Sequence, residues 1–159
     1  MSRLDSFIRR MQAQRAIIDF VSDAIRDFGG PVLELGLGQG RTYDHLRERF
    51  PGRRVIVLDL QATAPQEALP PAQDLILGDI RETGRRLAGI GAAFLHSDIG
   101  PGHKEKGEET AHWLPELVPM LLAGGGLALS DEPLEHPELV PLPLPDGIEE
   151  GRYFLYRRE

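Results

Sequence analysis

The chain has 159 residues, 41% hydrophobic and 27% charged, which are ordinary globular values with room for a proper core. A formal charge of −7 argues against a protein that grips nucleic acid backbone, and the absence of cysteine excludes disulfides, thiolate metal sites and a cysteine nucleophile. No apolar run approaches membrane-spanning length and the opening MSRLDSFIRR lacks the pattern of a signal peptide, so a soluble cytoplasmic protein with no membrane partner is expected.

Leu4, Phe7, Ile8 and Met11 recur at helical spacing, as do Ile17, Val21, Ala24, Ile25 and Phe28. This predicts one long or broken helix within residues 1–29, stopped by Gly29-Gly30-Pro31. The core of the domain then occupies 30–159, and the whole of 1–159 reads as one domain. Val32, Leu33 and Leu35 form a short strand-type run that leads into Gly36-Leu37-Gly38-Gln39-Gly40. A helix with Tyr43, Leu46 and Phe50 on its buried side follows, closed by Pro51-Gly52. Val55 to Leu58 is a second strand of the kind covered on both faces, ending in Asp59.

A proline-bearing loop leads to a third strand, Leu75 to Leu77, closed by Gly78-Asp79. Ile80 to Ala88 is weakly helical. Ala92 to Leu95 is a fourth strand that runs out at His96-Ser97-Asp98, and Ile99 to Gly107 reads as a polar loop. Glu108 to Leu122 predicts a helix despite Pro115 and Pro119, with Trp113 read as core. Gly124 to Ser130 is a fifth strand running into Asp131-Glu132-Pro133. Tyr153 to Tyr156 makes a last strand, with Leu139 to Leu144 as a possible partner.

Strands alternating with helices predict an α/β fold with a doubly wound, mostly parallel sheet. Ligands bind such sheets beyond the carboxyl ends of the strands. Four of the predicted strands end in acid, at Asp59, Asp79, Asp98 and Asp131, and these read as the rim of a pocket.

The loop after the first strand has glycines at alternate positions, G-x-G-x-G, with Glu34 two residues ahead of it. A dinucleotide fingerprint is G-x-G-x-x-G, with an acid about twenty residues further on. Asp59 suits ribose in either case, whereas the loop spacing and Glu34 point away from the dinucleotide. In LELGLGQG, VIVLDL, LILGDI, AAFLHSD and LLAGGGLALSD, in that order, the chain resembles the class I S-adenosylmethionine-dependent methyltransferases, whose first motif is E/D-x-G-x-G-x-G. The resemblance runs from about Pro31 to Ser130. It implies a Rossmann-like sheet of about seven strands with the last one antiparallel, and a shortened C-terminal part whose usual final helix is lost or reduced.

The resemblance also implies where S-adenosyl-L-methionine would lie. Glu34 would stand near its methionine end, directly or through water, with Gly36, Gly38 and Gly40 lining the floor. Gln39, Arg41 and Thr42 would sit by its carboxylate, at a helix N-terminus that welcomes an anion. Asp59, next to Leu60, would accept both ribose hydroxyls, being acceptor-only. Asp79, with Gly78 and Ile80, would face the adenine, although Asp before a helix is also a plain N-cap. Asp98 would lie at the mouth, and Asp98 and His103 are the candidate bases for an acceptor that must lose a proton.

A small-molecule methyltransferase is therefore the expected function. The alternatives are a cofactor-binding or scaffold domain without catalysis and an NAD-dependent oxidoreductase. No N-P-P-Y motif and no basic channel are present, which disfavours DNA and RNA as acceptors. A substrate lid has to come from the N-terminal helix, the loop after the fourth strand or a second subunit, and the N-terminal apolar stripe predicts a homo-oligomer. Asp98, Asp131 and Glu132 form a possible metal set, similar to that of the metal-dependent catechol and caffeoyl-CoA O-methyltransferases, with Glu132 standing where those have Asn.

Overall fold

In a computed structural model, residues 2–99 and 104–159 are described, the side chains of 104–109 excepted. The N-terminal segment is one unbroken helix, α1 (Arg3–Ala24). Its start is a reciprocal cap in which Ser2 Oγ accepts from the Asp5 N–H at 3.0 Å and Asp5 accepts from the Ser2 N–H at 3.0 Å. Strand β1 (Val32–Leu35) follows, then α2 (Arg41–Arg49), β2 (Val55–Asp59), β3 (Leu75–Leu77), α3 (Ile80–Arg85) and β4 (Ala92–Ser97). The chain continues through α4 (Lys104–Leu121), β5 (Leu122–Ser130), β6 (Leu139–Leu142) and β7 (Phe154–Arg158).

The seven strands form one sheet in the order β3-β2-β1-β4-β5-β7-β6. β1, β2, β3, β4 and β5 are mutually parallel, and β7 runs antiparallel to both β5 and β6. The order reverses at β1, which pairs with β2 on one side and β4 on the other, with Val32 opposite both Val55 and Phe94. That switch point is where a doubly wound sheet opens a ligand crevice. The links from β5 to β6 and from β6 to β7 carry no helix.

Helices cover the two faces separately. Ile17, Ile18 and Val21 of α1 pack with Tyr43 and Leu46 of α2 against Val57 and Phe94 on one face. Leu114, Leu117, Val118 and Leu121 of α4 pack on Leu33, Leu35 and Leu95 on the other.

Helix α4 begins at Lys104, earlier than the polarity of the segment predicts, and continues through Pro115 and Pro119. Each proline costs about 3 kcal/mol in a helix interior. Four apolar side chains buried on the sheet contribute about 1.5–3 kcal/mol each, which offsets that loss. β5 starts two residues sooner than expected, at the cost of a register shift opposite Ala92 and Phe94. α3 stops short of Ala88, and Gly84 within it lies where a Cβ would stand 2.7 Å from Leu117, so the helix is pressed against α4.

Candidate active site

β1 delivers the chain into the glycine loop at the switch point. Gly36 continues the ladder by donating its N–H to the Leu58 carbonyl at 2.8 Å, and it does so at φ +90°. A Cβ there would also stand 2.7 Å from Ile99 Cγ2, so sterics and backbone both require glycine. Gly38 differs. A Cβ there would meet no atom within 4 Å, and the residue faces the cleft, so a ligand can come up to bare main chain. The next turn is closed by Asp59 from the end of β2, whose Oδ2 accepts the N–H groups of Leu37 at 2.7 Å and Gly38 at 3.3 Å.

The cleft holds about 600 Å³, within the usual range for small-molecule sites. Gly36, Gly38, Gln39, Arg41 and Thr42 line it from the loop and the start of α2. Asp59, Leu60, Asp79, Ile80 and Asp98 line it from the strand ends and from α3. Asp79 also accepts from the Arg81 N–H at 2.9 Å as the N-cap of α3, so its plain capping role is present.

Three of the expected residues stand elsewhere. Gly40 is buried under Ala68, to which a Cβ would come within 2.8 Å. Gly78 turns the chain at φ +138° beside Thr83 without lining the cleft. Glu34 is sealed at 1% exposure and turned toward His96, which parallel register sets opposite it on β4. His96 is itself fully buried, with Nδ1 3.5 Å from Glu34 Oε1 and Nε2 3.5 Å from Gln14 Nε2. Glu34 Oε2 and His96 Nδ1 have no hydrogen-bond partner, and burial pushes the Glu34 carboxyl up. His103 lies outside the described residues.

The other wall comes from α1 and α4, with Phe7, Arg10, Met11 and Gln14 on the first and Thr110 and Trp113 on the second. Arg10 Nη2 donates to both oxygens of Asp98, at 2.5 and 2.6 Å, and its Nε donates to the Tyr153 hydroxyl at 3.2 Å. Gln14 Nε2 donates to Asp98 Oδ2 at 2.6 Å. Sequence reasoning missed Arg10, Gln14, His96 and Tyr153. One signal was available: positions 7, 10, 11 and 14 share a helix face, so the polar Arg10 and Gln14 interrupt the stripe that Phe7 and Met11 begin. Trp113, read as core, packs against the α4-side core and also faces the cleft.

Burial would raise the Asp98 carboxyl, yet Arg10, His96 and Gln14 outweigh it and hold the group below the ordinary carboxylate range. Asp131, against Asp98, shows the opposite outcome. Burial first, and then the Asp98 charge, push it up to about 7. Burial also lifts the Tyr153 phenol to about 12.

Among the described residues no group of three or more His, Asp or Glu side chains converges on a metal position. Asp98 is engaged by Arg10 and Gln14, while the Glu132 N–H turns back to Ser130 Oγ at 3.1 Å.

The seven-stranded sheet of this order, the glycine loop after β1 and the acid at the end of β2 form the Rossmann-like fold that the methyltransferase resemblance implies. The profile of the S-adenosyl-L-methionine methyltransferase family matches residues 1–158, and the chain belongs to that family. This settles the choice against the dinucleotide oxidoreductase. The structure is similar to that of the S-adenosyl-L-methionine methyl transferase of Silicibacter pomeroyi, at 41% identity and TM-score 0.91, over 100% of this chain and 99% of the other. A SAH-bound methyltransferase of Podospora anserina shares the fold at 16% identity and TM-score 0.61, over 88% of this chain and 76% of the other. So does a TehB-like SAM-dependent methyltransferase of Corynebacterium glutamicum, at 16% identity and TM-score 0.59, over 89% and 87%. No curated protein matches the chain. Among the described residues no helix is long and apolar enough to cross a membrane.

Proposed function

We propose that the chain works as one catalytic domain that methylates a small-molecule acceptor by in-line transfer. The observation that carries this reading is a single cleft of about 600 Å³ with two unlike walls, a bare-backbone loop on one side and side chains of α1 and α4 on the other. S-adenosyl-L-methionine, when bound, supplies a methyl group already activated on a sulfonium, so the protein has only to align partners and exclude water.

The residues fit that group. Gly38 offers main chain without a Cβ in the way, and the start of α2 has no side-chain cap, so its N–H groups are available to a carboxylate beside Gln39, Arg41 and Thr42. Asp59 is the acceptor for ribose hydroxyls, next to Leu60. Asp79 and Ile80, with Gly78 behind them, bound the adenine end. Glu34 lies beneath the site against His96 and does not itself reach the cleft. Asp98, at the mouth of the cleft, orients the acceptor. The charge of −7 supports a small acceptor over nucleic acid. Leu4 and Ile8, 66% and 43% exposed on α1, support a homo-oligomer, which light scattering would detect.

Thermal unfolding with saturating S-adenosylmethionine, S-adenosylhomocysteine or NAD tests the cofactor half, and labelled-methyl transfer to a metabolite panel tests the acceptor. At a hundred times its dissociation constant either sulfur nucleoside adds about 2.7 kcal/mol of stability, and NAD adds none. Stabilisation by NAD alone, or methyl transfer only to nucleic acid or protein, contradicts the reading.

A further inference from the structure

We infer that the part of the cleft walled by α1 and α4 is a binding site for a small, uncharged aromatic ring that carries a hydroxyl or amino group. This rests on the reading that the glycine-loop part takes the cofactor.

Two aromatic side chains reach this space from opposite faces of the sheet. Phe7 comes from α1, whose core residues pack on one face, and Trp113 from α4, which packs on the other. Phe7 lines the cleft and is 47% exposed, so its ring is not buried in the core. Met11 adds a flexible thioether to the same wall, and Ile99, pressed toward Gly36, marks the border with the glycine loop. A flat ring between aromatic walls gains from ring–ring and sulfur–ring contact beyond the area it buries, which an aliphatic chain of equal size does not.

Charge narrows the ligand further. Among the described side chains Arg10 is the cation on this wall, and its Nη2 is held between both Asp98 oxygens and its Nε by Tyr153. An anionic ligand would have to break that pairing, and it would face the carboxylates of Asp59, Asp79 and Asp98, with Arg41 at the glycine-loop end as the other described cation of the cleft. The carboxylates lining the cleft are acceptor-only when ionised, so together they favour a ligand that brings a donor. A neutral ring with O–H or N–H meets these conditions together.

The test uses full-length protein saturated with S-adenosylhomocysteine and four probes, phenol, aniline, benzoate and cyclohexanol, followed by ligand-detected saturation-transfer NMR. Phenol and aniline are expected to bind about fivefold or more tightly than cyclohexanol and benzoate. Phe7→Ala, at a half-exposed position that the fold tolerates, is expected to weaken phenol by a similar factor while S-adenosylhomocysteine affinity stays within about twofold. Equal binding of cyclohexanol, tightest binding of benzoate, or a phenol affinity untouched by Phe7→Ala would each overturn the proposal. If S-adenosylhomocysteine itself fails to bind, the cofactor reading fails. The same probe series without it then decides the aromatic wall on its own.

Discussion

The two halves of the cleft are built by different means. The glycine-loop half is made from backbone and strand register: β1 ends, the chain turns, and Asp59, 22 residues beyond Leu37, closes the turn. The helix half is made from side chains that meet across long stretches of chain. Arg10 reaches Asp98 over 88 residues and Tyr153 over 143, and Gln14 reaches Asp98 over 84. A common reagent demands a common cradle, and a short local segment can encode it. The helix half can change one side chain at a time without disturbing that cradle.

If this division is right, substitutions in one half should leave the other nearly intact. The largest effect belongs to Asp59→Ala. It removes a charged acceptor worth about 1.5–3 kcal/mol, so S-adenosylhomocysteine affinity by calorimetry should fall roughly 10- to 150-fold. Unchanged affinity would detach Asp59 from the cofactor.

On the other wall, Arg10→Met and Asp98→Asn should be coupled. A double-mutant cycle in urea unfolding should return roughly 1–2 kcal/mol, less than a sealed pair would give, because the Arg10 side chain is 45% exposed and water screens it. Additive costs would mean that the Arg10–Asp98 pair does not help to hold α1.

The Asp98–Asp131 pair sharpens the comparison through pH. Asp131 has its folded pKa raised from 3.8 to about 7, so the native state holds the extra proton. The stability this gives is fully present below about pH 4 and is lost as pH rises to about 7. Asp131→Asn should therefore flatten the stability profile between pH 4 and 7 and make the protein more stable than wild type at pH 8, by roughly 1–2 kcal/mol. A steeper profile in the variant would place the proton elsewhere.

The smallest effect is expected at Asp79→Ala. Loss of the α3 cap should cost about 1 kcal/mol in urea unfolding. A cofactor affinity loss larger than that of Asp59→Ala would show that Asp79 serves the ligand first and the helix second.

The same contrast explains what could be read from sequence. β1 spans Val32–Leu35 and β3 spans Leu75–Leu77, as their apolar runs closed by Gly36 and by Gly78-Asp79 predict. Strand order follows from the motif series, because each motif occupies a known place in the fold. α4 begins earlier than its sequence predicts, because the polar, glycine-containing segment at its start has little helical preference of its own and the buried residues further along carry the helix. His96 illustrates the limit more sharply. Next to a serine and an aspartate it reads as the strand leaving the core, yet register sets it against Glu34 with no exposure at all. Arg10 and Gln14 stood on the right helix face, but nothing local says that Asp98 is what they reach.

The most direct test of the division is a titration of isotope-labelled protein with S-adenosylhomocysteine, followed by amide NMR. The largest shifts are expected in the loop from Gly36 to Thr42 and at Asp59 and Leu60, with the first two turns of α1 changing little. Largest shifts along α1 around Phe7 and Arg10, with the glycine loop unmoved, would contradict the account.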